Sequence, residues 1–253
     1  MIGLVLAQLF LAGPWLAPPE ISPPAFERVA EADFARAREE MIRHLALEAA
    51  ATAHLTGVRE LDPRVLEAMR EVPRERFVPA ALRAHAYGPG PLPIHPAQNL
   101  TAPFLTALML HAAEIRPGAR VFETGTDTGY QAALLARMGA EVTTVEILPE
   151  LAEIARRLLS ELAPGRVALR VGDGYDGWPE RAPFDAIIVK EAVDHLPPPL
   201  LAQLAPDGRL VLPLGPADGV QYLTVVRKTR DGRLETRRLL PVRFAPFQRG
   251  SPT

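Results

Sequence analysis

The chain of 253 residues contains no cysteine, which excludes disulfides, thiolate catalysis and cysteine-based zinc sites. Its 28 basic and 30 acidic residues leave a net charge of −2, so a nucleic-acid partner is not expected. His95, His111 and His195 are too scattered along the chain to predict a metal site, and the nucleophile-elbow motif of serine hydrolases is absent. With these classes of site excluded, the remaining candidates for ligand binding are carboxylates, hydroxyls and glycine turns.

The N-terminal residues 2–12 form an uncharged apolar run followed by a proline-rich stretch. The run resembles the apolar core of an export signal, but it has no positively charged start, and Trp15 disfavours cleavage after Ala17. It is shorter than the roughly 20 residues that span a bilayer as a helix, so no stable membrane span is expected. Export to the periplasm or cell exterior, a non-native start and a segment packed on the domain all stay open.

Strands and helices alternate from residue 117 onward, which is typical of a parallel, doubly wound sheet. The predicted strands cover residues 119–124, 141–146, 166–171, 184–189 and 209–214. After a turn at residues 206–208 and the last of these strands, two further strands joined at Asp231-Gly232 predict a C-terminal β-hairpin. A chain of this length accommodates one sizeable α/β domain with an appended subdomain.

The region before residue 117 is predicted to be mainly helical. An amphipathic helix is expected over residues 26–54, and a second helix begins after the N-cap Asp62. A short helix is expected over residues 79–85, and the next one begins at Pro103. The proline- and glycine-rich residues 86–102 are expected to form a loop. We therefore divide the chain into an apolar segment (1–24), a helical and substrate-loop region (25–116) and an α/β core (117–253).

Residues 120–130 predict a buried strand that enters a glycine turn and then a helix. The dinucleotide fingerprint G-x-G-x-x-G is absent, because only Gly125 and Gly129 are present, and the acid Glu123 precedes the turn. A second acid, Glu146, closes the next strand, where dinucleotide folds bind ribose hydroxyls. A cationic ligand without phosphate, such as S-adenosylmethionine, fits this pattern better than NAD, although a glycine turn that binds nothing is the alternative.

Polar residues also follow the third and fourth predicted strands. Asp173, between Gly172 and Gly174, is placed to accept hydrogen bonds from an exocyclic amine such as that of adenine, or else it bonds its own turn. Residues 190–195 form a charged cluster in which Lys190 is predicted either to attract an anionic substrate or to pair locally with Glu191.

The chain from about residue 41 to residue 248 resembles the protein-L-isoaspartate O-methyltransferase family. The matching segments include Asp62-Pro-Arg-Val-Leu-Glu-Ala-Met69, Arg76-Phe-Val-Pro79, Gly129-Tyr-Gln-Ala-Ala133, Gly177-Trp-Pro179 and Leu239-Leu-Pro-Val-Arg-Phe244. The resemblance implies a Rossmann-like class I methyltransferase fold, S-adenosylmethionine as cofactor, and a protein or peptide substrate with a free carboxylate. It implies repair of isoaspartyl residues in the cytoplasm.

The resemblance also assigns roles to site residues. Thr101 and Gln98 are implied to be catalytic and Lys190 to bind substrate. The implied cofactor-binding residues are Glu123, Gly125, Thr126, Gly129, Glu146, Asp173 and Gly174.

The chain departs from the family pattern at the site itself. Thr101 stands at the place of the active-site serine, Thr124 and Asp127 replace an apolar residue and a glycine, and residues 190–195 replace small residues. Two alternatives to isoaspartyl repair therefore remain: a carboxyl methyltransferase with another peptide substrate, and a catalytically silent binding protein. The sequence does not indicate an oligomeric state.

Overall fold

The protein is described by a computed structural model over residues 31–96 and 98–250. The predicted export segment lies outside these residues. Within them, no helix combines the length and apolar character needed to cross a membrane. The domain division given above remains a prediction.

Six α-helices occur in the described part of the chain. They are α1 (Glu31–Thr56), α2 (Pro63–Glu71), α3 (Pro103–Ala113), α4 (Tyr130–Arg137), α5 (Pro149–Leu162) and α6 (Pro198–Gln203). The start of α2 follows from its sequence, because Asp62 caps the helix by accepting the Arg64 N–H at 2.8 Å and Pro63 occupies the first turn. The predicted N-cap is confirmed.

Within residues 31–96 and 98–250, nine strands form two sheets. Their ranges are β1 (Leu92–His95), β2 (Gln98–Leu100), β3 (Arg120–Thr124), β4 (Glu141–Glu146), β5 (Val167–Val171), β6 (Phe184–Ile188), β7 (Leu204–Leu214), β8 (Gln221–Lys228) and β9 (Leu234–Val242). β1 and β2 pair with each other, and the others form one sheet in the order β5-β4-β3-β6-β7-β8-β9. The strands from β3 to β7 are parallel, whereas β8 and β9 add the predicted antiparallel hairpin.

The central strands of the large sheet are buried on both faces. Neighbouring residues of one strand point to opposite faces, and accordingly Val121 belongs to one hydrophobic cluster and Phe122 to another. The larger cluster contains the buried faces of α1 to α5, so the helical region and the α/β core share it. The smaller cluster includes Leu200 of α6.

Two predictions about the connections are wrong. The segment 86–102 is not only a loop, because β1 and β2 pair within it. The proline-rich composition hid this pairing, since short strands outside the main sheet have little hydrophobic periodicity. The expected turn at residues 206–208 lies inside β7 as an irregularity, with Asp207 at φ 63° and a shift of pairing between Leu204 and Arg209.

The strand order reverses direction between β3 and β6. The chain runs outward from β3 through β4 to β5, then returns to β6 on the other side of β3. Ligands of open α/β sheets bind at such a switch point, beyond the carboxyl ends of the strands. A ligand is therefore expected beside the residues that follow β3 and β6.

Candidate active site

A cleft and a cavity lie next to each other beyond the carboxyl ends of β3, β4 and β6. The cleft is lined by Gln98, Thr124, Gly125, Asp127, Val145, Glu146, Ile147, Gly172, Gly174, Glu191, Phe247 and Gln248. The cavity has a volume of about 300 Å³ and is lined by Pro91, Gln98, Asn99, Thr101, Ala102, Leu105, Asp127, Lys190, Glu191, Arg243, Phe244 and Ala245. Gln98, Asp127 and Glu191 line both, so they form the wall between the two.

The glycine turn after β3 brings the backbone close to the cleft. Gly125 has φ 62° and Gly129 has φ 96°, a left-handed conformation that glycine adopts without a steric penalty. Gly125 lines the cleft, but Gly129 begins α4 and would direct a Cβ against Leu159 of α5. The Thr126 hydroxyl bonds that of Thr144 at 2.7 Å and is fully buried. Gly129 and Thr126 thus support the turn on its buried side and do not line the cleft.

Glu146 lies at the end of β4, buried in the cleft. Its Oε2 accepts the Asp127 N–H at 2.7 Å, and its Oε1 accepts the Leu148 N–H at 3.0 Å. Burial, reinforced by the nearby Asp127 carboxylate, raises the pKa of Glu146 to about 7. Each oxygen has a further lone pair, so the carboxylate retains capacity to accept a hydroxyl.

Lys190 is the second residue after the end of β6, and its ammonium is buried between two acids. Its Nζ lies 3.1 Å from Glu123 Oε1 and 2.9 Å from Asp127 Oδ2, with only 5% of the side chain exposed. Burial by itself would lower the pKa of Lys190, but the two carboxylates raise it above its ordinary value. The predicted local pair with Glu191 is wrong: Lys190 pairs instead with Glu123 of β3 and with Asp127 of the turn after β3.

Glu191 is partly buried beside the glycine turn. Its Oε2 accepts the Thr124 hydroxyl at 2.7 Å, and its Oε1 lies so near Gly125 that a Cβ at position 125 would collide with it. Burial raises the pKa of Glu191 to about 7, and Asp127 adds to the effect. The turn can accommodate Glu191 only because residue 125 is a glycine.

Gln98 begins β2 and Thr101 is the residue after its end. Both line the cavity. The Thr101 carbonyl accepts a hydrogen bond at 2.8 Å from the guanidinium of Arg74, which also donates to the Ala86 carbonyl at 2.8 Å. Arg74 is fully buried and stacks on the ring of Tyr130 at 4.9 Å. A buried cation therefore ties both ends of the 86–101 segment to the body of the protein.

Asp173 follows β5, and its side chain is already engaged. Its Oδ1 accepts the N–H of Tyr175 at 2.9 Å, whereas its Oδ2 accepts Arg249 Nε at 3.0 Å and the Gly250 N–H at 3.1 Å. Residues 245–250, here called the C-terminal strap, bridge to Ala192 through backbone hydrogen bonds of 2.8 and 2.9 Å. Gly174 lines the cleft directly, with Phe247 of the strap nearby.

Most of the predicted residues thus gather at one end of the sheet, but in different positions. Gln98, Gly125, Glu146 and Gly174 line the cleft, and Thr101 and Lys190 line the cavity. Glu123, Thr126, Gly129 and Asp173 support these residues without lining either space. The sequence did not single out Arg74, Arg243 or the strap. Arg243 lies in the matched segment Leu239–Phe244, but no chemical role was predicted for it.

The cleft suits a cationic, nucleoside-like ligand. Positions 125 and 174 have no room for a side chain larger than that of glycine. A Cβ would collide with Glu191 at position 125 and would lie 3.0 Å from Thr124 at position 174. The turn is surrounded by four carboxylates, those of Glu123, Asp127, Glu146 and Glu191. In the described part of the chain, the ammonium of Lys190 is the only one that lies among them.

Sheet order, switch-point turn and strand-end acid together define the Rossmann-like fold of class I S-adenosylmethionine-dependent methyltransferases, as predicted. The same fold is seen in a protein-L-isoaspartate O-methyltransferase structure from Plasmodium falciparum, solved in complex with S-adenosyl-L-homocysteine. The two share a TM-score of 0.69 at 21% identity over 85% of this chain and 98% of that one.

Sequence comparison is more specific than the fold. The family model of protein-L-isoaspartate(D-aspartate) O-methyltransferase matches residues 52–251. Relatives described as protein-L-isoaspartate O-methyltransferases are 52% identical over 188 residues in Gloeobacter violaceus (74% of this chain, 91% of that protein) and 47% identical over 210 residues in Cupriavidus necator (83% and 81%). A solved structure of the same description has a TM-score of 0.72 at 27% identity, covering 85% of this chain and 67% of that one. The chain belongs to the protein-L-isoaspartate(D-aspartate) O-methyltransferase family, and the resemblance predicted from its motifs is confirmed.

Proposed function

We propose that the protein transfers a methyl group from S-adenosylmethionine to the free carboxylate of L-isoaspartyl residues in damaged proteins. Family membership supports the reaction and the cofactor, and the names of the relatives support a protein substrate. The observation that carries the assignment of the site is the shared wall of Gln98, Asp127 and Glu191 between cleft and cavity. Direct transfer between two bound molecules requires such adjacent spaces.

The cofactor belongs in the cleft. When bound, S-adenosylmethionine supplies a methyl group on a positively charged sulfur, which a nucleophile can displace. Glu146, with lone pairs to spare, is the residue proposed to accept the ribose hydroxyls, and Gly125 and Gly174 line the same cleft. Asp173 is proposed to accept from the adenine amine through Oδ1, which accepts only the Tyr175 N–H, because Oδ2 already accepts from Arg249 and Gly250.

The substrate belongs in the cavity. A carboxylate with a reference pKa of about 4 is already ionised at neutral pH, so no residue has to act as a general base. The task of the protein is alignment, which in favourable cases contributes about 7 to 11 kcal/mol. Thr101 and Gln98 are proposed to orient the attacking oxygen, and Arg74 holds the Thr101 backbone in place.

Lys190 is less suited to the role of substrate cation than the sequence indicated. Its ammonium is shared by Glu123 and Asp127 and is nearly inaccessible. Arg243 lines the same cavity and is exposed. We therefore propose Arg243 as the residue that attracts the substrate carboxylate, with Lys190 in a supporting position.

The test is a methyl-transfer assay on two peptides that differ only in an isoaspartyl or an aspartyl residue. The isoaspartyl peptide is expected to be methylated and the aspartyl peptide not. Thr101→Val should lower kcat/KM about tenfold or more, because it removes the hydroxyl at nearly constant volume, while Thr101→Ser should retain most activity.

Equal rates on both peptides would favour another carboxylate substrate, and cofactor binding without turnover on any peptide would favour a silent protein. If Thr101→Val were as active as Thr101→Ser, the hydroxyl would have no role. Arg243→Met should raise KM, with Arg233→Met, an exposed residue of the β8–β9 turn, as the matched control.

A further inference from the structure

The positions at which this chain departs from the family pattern come together in space. Thr124 ends β3 and Asp127 lies in the turn after it, whereas Lys190 and Glu191 follow β6, more than 60 residues later. Lys190 bonds Asp127, Thr124 bonds Glu191, and the Lys190 N–H contacts the Thr124 hydroxyl at 3.4 Å. One connected polar network therefore replaces apolar and small residues at the switch point.

This network is unbalanced in charge. Lys190 is fully engaged by Glu123 and Asp127, at 3.1 and 2.9 Å. Glu191 is left with a neutral hydrogen-bond donor, the Thr124 hydroxyl, on one oxygen. A partly buried carboxylate without its own cation is costly unless a positive group comes to it.

The position of Glu191 identifies which positive group this is. Its carboxylate lies over the Gly125 turn and lines both the cofactor cleft and the cavity that contains Thr101. The methyl group must cross between these two spaces, so the methyl-bearing sulfur must approach their common wall. A sulfonium carries its positive charge on that sulfur, whereas the thioether left after transfer is neutral.

We propose that Glu191 is the counter-ion of the cofactor's sulfonium and makes the protein discriminate S-adenosylmethionine from its demethylated product. The inference rests on the proposed function and adds a specificity residue to it. Glu123 and Asp127 cannot take this role as readily, because each already shares the Lys190 ammonium. The consequence is weakened product inhibition compared with a site that has an uncharged residue at position 191.

The test is calorimetric titration of S-adenosylmethionine and of S-adenosylhomocysteine into the full chain and two variants. Glu191→Gln removes the charge at constant size, and Glu191→Ala removes the carboxyl group altogether. Both should weaken S-adenosylmethionine binding about tenfold or more and change S-adenosylhomocysteine binding less than about twofold. Glu180→Gln, an exposed acid on the turn before β6, is the matched control and should change neither.

The affinities of the variants for the two ligands decide whether Glu191 faces the sulfonium. Loss of S-adenosylmethionine binding alone supports the proposal. Equal losses for both ligands would assign Glu191 to a group that they share, such as the α-ammonium, and unchanged affinities would remove any role; either result overturns it. Failure of the unmodified protein to bind either ligand would instead contradict the proposed function.

Discussion

Acid-base clusters occur at two places in this molecule, and they behave in opposite ways. At the β7–β8 edge, Asp207 pairs with Arg227 and Arg230 at 2.9 and 2.6 Å, in contact with solvent. At the carboxyl ends of β3 and β6, four acids surround Lys190 and are largely removed from solvent. The same residue types thus form an exposed cluster in which an acid has two cations, and a buried one in which four acids share a single ammonium.

The pKa directions follow from this difference. Hydrogen bonds from Arg230 lower the pKa of Asp207, because they stabilise its ionised form. Burial raises the pKa of Glu146 and Glu191 to about 7, because no adequate cation compensates for the loss of water. The exposed cluster tolerates change, whereas the buried cluster holds unfavourable charge at the place where a cationic ligand binds. Such perturbed groups are typical of functional sites.

The largest effect is expected from breaking the buried pair. Lys190→Met should lower the free energy of unfolding by about 3 to 5 kcal/mol, because it leaves Glu123 and Asp127 buried without a cation. Denaturant unfolding of the cofactor-free protein measures this. Arg230→Met, at the exposed cluster, is the control and should cause little change. If the two substitutions had equal effects, burial would not distinguish the clusters.

A double variant sharpens this prediction. Asp127→Asn added to Lys190→Met removes one of the two stranded carboxylates, so it should recover part of the lost stability. A further loss would show that Asp127 is held mainly by its other contacts.

A smaller effect concerns pH. Glu146 and Glu191 have an ordinary pKa of 4.5 in the unfolded chain and about 7 in the folded protein, so between these values the folded state retains protons that the unfolded state has lost. Their contribution to stability is therefore complete below pH 4.5 and is lost as pH rises through 7, an effect on the order of 1 to 3 kcal/mol. Unfolding of the cofactor-free protein between pH 5 and 8 should show this decline.

Glu191→Gln should flatten that pH dependence, because the amide does not titrate. The charged groups that act on Glu191 are Asp127, Lys190 and Glu146, and of these only Glu146 also has a pKa of about 7. A residual slope from Glu146 is thus expected. A slope unchanged from that of the unmodified protein would contradict the raised pKa of Glu191.

The smallest effect is expected at the C-terminal strap. Arg249→Ala releases Asp173 Oδ2 from an exposed ion pair and leaves the Gly250 N–H in place. Exposed pairs contribute little, so cofactor affinity should rise by no more than about two- to threefold, with faster binding. Stopped-flow binding measures both, and Arg233→Ala is the control. Weaker binding in Arg249→Ala would show that the strap helps to hold the ligand.

Much of the fold could be predicted because its signals are local. β4 was predicted with its observed bounds, and α2 with its capping residue, since strand periodicity and Asp62-Pro63 depend only on neighbouring residues. The β1–β2 pairing and the irregular start of β7 were missed. Both depend on contacts between segments whose composition is typical of loops.

The site shows the same division. Because strand ends of a parallel sheet meet at one edge, Gly125, Glu146 and Gly174 could be placed near one another in advance, and the cleft brings them together. The partner of Lys190 could not be derived, since Asp127 lies 63 residues earlier and Glu191 is adjacent. Nor could the sequence indicate that Arg249 reaches Asp173, 76 residues away.

The sequence by itself determined the fold class, the family and the set of residues at the carboxyl ends of the strands. These follow from patterns of neighbouring residues and from ordered motifs. Only the tertiary structure decided which charges face one another, because side-chain pairing depends on strand order and on the distance across the switch point. That pairing occupies Lys190 and leaves Glu191 without a cation at the wall between the cleft and the cavity.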